Sequence, residues 1–131
     1  MGYSKKKDNC SGDSLYYKRI VVKAGTSVLT TEGEQLDRES LSSLVNQLAG
    51  LHVKGVELIL VTSGAIATGR HVLGIGRSGK DIPFRQVLAA LGQSQLMHTY
   101  QQIFQDHNIK VAQSLLTRND LSERQGYLNV R

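Results

Sequence analysis

One cysteine, one proline, no tryptophan and no long apolar run distinguish this sequence of 131 residues. Cys10 alone cannot close an intrachain disulfide, which excludes a disulfide-stapled fold and points to a reducing, cytoplasmic setting. No apolar stretch approaches membrane-spanning length, and none follows the amino-terminal lysines as a secretory signal requires. Met1-Gly2 opens like a myristoylation signal, but Lys6 stands where the acceptor pattern needs serine or threonine. His52, His71, His98 and His107 have neither metal-ligand spacing nor cysteine partners, so no metal site is predicted and they read as helix-surface residues. The absence of a Walker A sequence excludes a P-loop ATPase. The absence of a nucleophile elbow leaves no marked Ser/His/Asp hydrolase.

What is present is a balanced composition, 40% hydrophobic and 21% charged, suited to one soluble compact domain. The net charge of +5 is unevenly spread: Lys5, Lys6, Lys7, Lys18 and Arg19 outweigh Asp8 and Asp13 at the start, and the remaining body is nearly neutral. Residues 1–18 therefore read as a disordered basic leader, and 19–131 as the folded part. A basic tail on a balanced body predicts nonspecific stickiness, not a nucleic-acid groove reader, so no nucleic acid and no membrane are expected as partners.

Along the folded part, Arg19-Ile20-Val21-Val22-Lys23 is β-branched, ends at Gly25, and reads as a buried strand. Residues 30–35 form a turn or short hairpin. Asp37 is a good N-cap, with Leu36 and Leu41 at the two positions of a hydrophobic staple. Leu41, Leu44, Val45 and Leu48 then repeat at helical spacing until Gly55, where a left-handed residue is wanted. Val56-Glu57-Leu58-Ile59-Leu60-Val61-Thr62 is a second strand, apolar enough to predict burial on both faces. A short helix follows Gly64 and reaches about Leu73, and residues 74–82 form a glycine-rich loop. Pro83 suits the first turn of a long helix with Leu88, Leu91, Gln95 or Leu96, Tyr100 and Ile103 inward, ending near Asn108. Residues 109–116 are a predicted third strand, and Asp120 with Glu123 a predicted capping pair opening a last helix. That helix has no stop signal before Arg131, so a continuing chain is expected. The rhythm predicts an α/β fold: an open, mainly parallel sheet with helices on both faces.

Two places set glycine and a hydroxyl residue just past a strand: Lys23-Ala24-Gly25-Thr26-Ser27 and Thr62-Ser63-Gly64-Ala65. Ligands of open α/β sheets bind beyond the carboxyl ends of strands. Glycine lets backbone N–H groups approach an anion, and a helix starting after Gly64 aims its positive end there. Lys23 adds a mobile charge suited to phosphate oxygens. A lysine at a strand end is ordinarily solvated, and Ser-Gly after a strand is ordinarily a turn; their occurrence as a pair is what predicts a phosphate-handling site. Gly74-Ile75-Gly76-Arg77-Ser78-Gly79 satisfies the dinucleotide fingerprint literally. It follows a helix and not a strand, so it reads as a loop.

Four ordered segments carry a resemblance. These are Val22-Lys23-Ala24-Gly25-Thr26-Ser27-Val28-Leu29-Thr30, Leu60-Val61-Thr62-Ser63-Gly64-Ala65-Ile66-Ala67-Thr68-Gly69-Arg70, Leu88-Ala89-Ala90-Leu91-Gly92-Gln93-Ser94 and Leu115-Leu116-Thr117-Arg118. From Arg19 onward the sequence resembles the glutamate 5-kinase family of the amino-acid kinase superfamily, over what would be the N-terminal, substrate-binding part of its kinase domain. The resemblance implies ATP-dependent phosphorylation of the side-chain carboxylate of L-glutamate to γ-glutamyl phosphate, the first step of proline biosynthesis, with ATP and Mg²⁺. It implies that Lys23 is catalytic and binds ATP, that Gly25 and Thr26 lie along the phosphates, and that Ser63, Gly64 and Ala65 hold the glutamate. It also implies a homo-oligomer in the full-length enzyme. Ala24 departs from the larger apolar residue usual in the family. The family's second lysine, its organising aspartate, its Asn/Asp substrate contacts and its adenine pocket lie beyond residue 131, so the 131-residue chain alone is expected to be inactive. Two alternatives stand beside this reading, another amino-acid kinase and a non-catalytic binding module with this fold. Turnover of glutamate and ATP by the longer gene product separates them.

Overall fold

The computed structural model describes residues 17–31, 35–76 and 81–130. Apart from Tyr17 and Lys18, the leader expected at 1–18 lies outside them, as do parts of the turn at 30–35 and of the loop at 74–82. The element order is β1 (Arg19–Ala24), α1 (Thr26–Leu29), α2 (Arg38–Val53), β2 (Glu57–Thr62), α3 (Ala65–Leu73), α4 (Ile82–Gln105), α5 (Arg118–Ser122) and α6 (Arg124–Val130). The fold class is the expected one, α/β with a parallel sheet. β1 and β2 pair in parallel from Arg19↔Glu57 to Ala24↔Thr62.

Alternation along the strands divides the sheet into two unlike faces. Val22, Ala24, Leu58 and Leu60 join Leu41, Val45 and Leu48 of α2 and Leu96, Tyr100, Ile103 and Phe104 of α4 in one core. Val21, Ile59 and Val61 point the other way and are 61%, 52% and 47% exposed. The burial of β2 on both faces expected from its composition is thus not found among the described residues. An apolar run reports what a strand is able to bury, and only the neighbouring elements decide what it does bury.

Both ends of α2 are built as expected. Asp37 accepts from the Glu39 and Ser40 N–H groups at 3.1 and 3.3 Å and from the Ser40 hydroxyl at 2.6 Å. The Ser40 hydroxyl, foremost, holds the Asp37 carboxyl below its ordinary range. At the far end Gly55 has φ +83. Its N–H donates to His52 O, and that of Val56 to Leu51 O, the paired bonds of a Schellman stop.

α4 runs from the Asp81 cap, which accepts from Phe84 N–H at 3.3 Å, with Pro83 in the first turn. Leu88, Leu96, Tyr100 and Ile103 are buried as expected, whereas Leu91 and Gln95 are exposed and Gly92 takes the inner position. The four histidines are all exposed, and His107 Nε2 meets Asn46 Oδ1 at 2.9 Å.

Two expectations fail beyond α4. Residues 109–116 form no strand: Ile109 and Val111 pack against the core, and a cleft of about 320 Å³ lies between this segment and β2. A strand is a pairing and not only a pattern, and this segment makes none. The last helical region opens at Thr117, not Asp120. Thr117 and Asp120 form a reciprocal capping box, and Glu123, extended at φ −84, ψ 137, divides the region into α5 and α6. Thr117 wins because the box satisfies backbone donors at both of its positions.

Candidate functional site

Because β1 and β2 end in register, the two chemistry-bearing loops emerge side by side, and Ser63 N–H donates to Ala24 O at 3.1 Å. After β1, Gly25 is extended at φ −80, ψ 161 and leads into the single turn α1. Thr30 ties that turn down through its hydroxyl, which donates to Thr26 O at 2.9 Å. After β2, Gly64 takes φ 105, ψ −7, and α3 begins at once. Only glycine adopts that conformation without strain. The buried Thr68 hydroxyl and the Thr68 N–H both donate to Gly64 O, at 3.0 and 2.9 Å, and fix this turn.

No side chain caps the start of α3, and no acidic residue occupies its first turn. Its first N–H groups therefore keep their donor capacity and the helix keeps its positive end. They open on a cleft of about 480 Å³ where Thr26 meets Ser63, Gly64 and Ala65. Arg70 of α3 and Arg85, Ala89 and Gln93 of α4 line it as well, and among the described residues no carboxylate does. Such a site suits a small anion. The structure thus gathers Thr26, Ser63, Gly64 and Ala65 in one cleft, with Gly25 directly before Thr26. Lys23 is not in its lining: it is exposed, opposite Val61 in register, on the sheet face away from the core.

The model of the Amino acid kinase family matches residues 18–130. The chain belongs to that family. Glutamate 5-kinases from two strains of Dehalococcoides mccartyi, CBDB1 and ATCC BAA-2266, are 55% and 56% identical over 115 residues, 88% of this chain and 31% of each relative. The glutamate 5-kinase of Shewanella amazonensis is 50% identical over 115 residues, covering 88% of this chain and 30% of its own length. The chain spans about a third of the length of the curated relatives it matches.

Two contacts hold the cleft's walls. A Cβ on Gly92 would strike Ala65 O and Gly69 N, and one on Gly69 would strike Leu88 O, so α3 and α4 cross backbone to backbone. At the end of β2, the Thr62 hydroxyl and Tyr100 OH share a hydrogen bond of 2.9 Å. Burial raises the Tyr100 phenol above its ordinary value, against the bond from Thr62, so it stays protonated at neutral pH. Sequence reasoning assigned no role to Arg70, Arg85 or Gln93. The available signal was the stride of four in Arg85, Ala89 and Gln93, one stripe of a helix. Among the described residues no three His, Cys, Asp or Glu side chains gather as a metal site, and no helix is long and apolar enough to cross a membrane.

Proposed function

We propose that the protein carrying this sequence is an ATP-dependent kinase that phosphorylates the side-chain carboxylate of L-glutamate, giving γ-glutamyl phosphate for proline synthesis in the cytoplasm. The observation that carries the reading is the cleft at two adjacent strand ends, lined by no carboxylate among the described residues and opened by the uncapped N-terminus of α3, in a chain about half identical to glutamate 5-kinases. Residues 19–131 are the substrate-binding part of the kinase domain, and the full-length enzyme is a homo-oligomer. The resemblance to glutamate 5-kinases favours glutamate over a different amino acid.

In this reaction a carboxylate oxygen of glutamate attacks the γ-phosphorus of ATP, the bond from that phosphorus to the bridging oxygen breaks, and ADP leaves. The protein contributes position and charge compensation. Ser63, with the N–H groups of Gly64 and Ala65, orients the attacking carboxylate in the field of α3. Gly25 and Thr26 lie along the phosphates, and Lys23 offsets the charge that accumulates on the transferring group. Among the described residues no three His, Cys, Asp or Glu side chains gather to hold Mg²⁺; when bound with the nucleotide, the ion would supply charge compensation for its phosphates. The 131-residue chain is inactive by itself, since Lys23 stands on a sheet face that the described residues leave open.

The test is hydroxylamine trapping of the acyl phosphate by the full-length protein with ATP, Mg²⁺ and glutamate. Hydroxamate is expected with glutamate and not with aspartate or N-acetylglutamate. No hydroxamate with glutamate sinks the reading. A kinase-like rate from the 131-residue chain alone overturns its stated dependence on the rest of the enzyme.

A further inference from the structure

The cleft holds more positive charge than one carboxylate needs. Besides the α3 N-terminus, its lining includes Arg85, from the first turns of α4. Arg85 is exposed, and no hydrogen bond or ion pair among the described residues engages its side chain. The nearest acid on its own helix, Asp81, is committed as the N-cap that accepts from Phe84 N–H. The charge of Arg85 is therefore open to a ligand that enters the cleft.

The helix crossing says which end of the cleft Arg85 serves. Gly92 lies against Ala65, and Leu88 against Gly69, so the two helices run past each other in opposite senses. Gln93 therefore stands beside the start of α3, where the reacting carboxylate is oriented. Arg85 stands just over two turns away along α4, about 12 Å at the rise of an α-helix. An extended arginine side chain spans part of that interval and a five-carbon dicarboxylate the rest. With one carboxylate at Ser63 and Gly64, beside Thr26, the guanidinium meets the carboxylate at the other end of the substrate in the paired geometry that arginine favours.

We propose that Arg85 is the specificity-determining residue that binds the substrate's non-reacting α-carboxylate, so that the site selects an amino dicarboxylic acid over an ω-amino acid with a single carboxylate. The inference rests on the reading of this cleft as the glutamate site, and one experiment separates the failure of either. The full-length protein and its Arg85→Gln and Arg85→Lys variants are assayed by hydroxamate trapping with glutamate and with 4-aminobutyrate, which keeps the reacting carboxylate and the amine but lacks the α-carboxylate. In Arg85→Gln, kcat/KM for glutamate is expected to fall by about tenfold or more, as for loss of a hydrogen bond to a charged group. The loss is expected in KM for glutamate, with KM for ATP unchanged and the already low rate on 4-aminobutyrate unaltered. The preference for glutamate then collapses by the same factor, and Arg85→Lys restores part of it. An equal loss on both substrates means that Arg85 is structural, and no loss on either means that it does not reach the substrate; each result overturns the inference and leaves the proposed function standing. A parent protein that phosphorylates neither substrate overturns the proposed function and, with it, this inference.

Discussion

The two strand ends look alike in sequence, each a glycine beside hydroxyl residues, yet the fold asks different things of them. Gly64 has φ 105 and cannot be replaced without backbone strain, while Gly25 has φ −80 and open space around the Cβ it lacks. Gly64 is glycine because the chain must turn into α3. Gly25 is under no such demand from the described structure, and its proposed place beside a phosphate is what substitution there tests. One glycine serves the fold, and the other is proposed to serve a ligand.

The largest effect that tests this contrast belongs to the β1 end. Lys23→Met in the full-length enzyme is expected to lower kcat by about 10²-fold or more through loss of charge stabilisation, with far-ultraviolet circular dichroism unchanged because Lys23 is exposed. A folded variant with near-normal kcat removes Lys23 from the chemistry. At the β2 end, Ser63→Ala is expected to weaken glutamate by about 1.5–3 kcal/mol, read as a rise in its KM. If KM for ATP rises instead, the two ends exchange roles.

Smaller effects separate the glycines themselves. Gly64→Ala is expected to cost about 1–3 kcal/mol of stability in urea unfolding, because alanine is strained at that φ. Gly25→Ala is expected to leave stability unchanged or to raise it by up to about 1 kcal/mol, since alanine fits the backbone and restricts the unfolded chain. Its cost is expected only in KM for ATP. A Gly25→Ala protein that is less stable yet binds ATP normally reverses the contrast.

What the sequence disclosed follows the range of the forces involved. The caps of α2 were legible because Asp37, Leu36, Leu41 and Gly55 act within a turn of the helix they bound. β1, β2 and the stretch from α3 through most of α4 followed from period and punctuation. The strand expected at 109–116 failed because its pattern is local while its hydrogen bonds need a partner edge. The Thr117 cap was misjudged because Asp120 is an equally good cap by composition, and only the reciprocal bond decides between them. Within the site, the motif residues at the strand ends were visible and Thr26, Ser63, Gly64 and Ala65 do share a cleft. Arg85 and Gln93 were not, because nothing in one sequence states which stripe of α4 faces α3.

The backbone-to-backbone crossing of α3 and α4 also has a bearing on motion. Where Gly92 and Gly69 admit no side chain between the helices, neither helix has a soft layer on which to slide or roll. Any closing of the cleft over a substrate must then carry the pair as a single lever, hinged outside it, with the α3 N-terminus and Arg85 travelling together. Native-state hydrogen exchange offers a direct view of this: interior amides of α3, short as it is, should open at the same free energy as those of α4 between residues 88 and 100, as one cooperative unit.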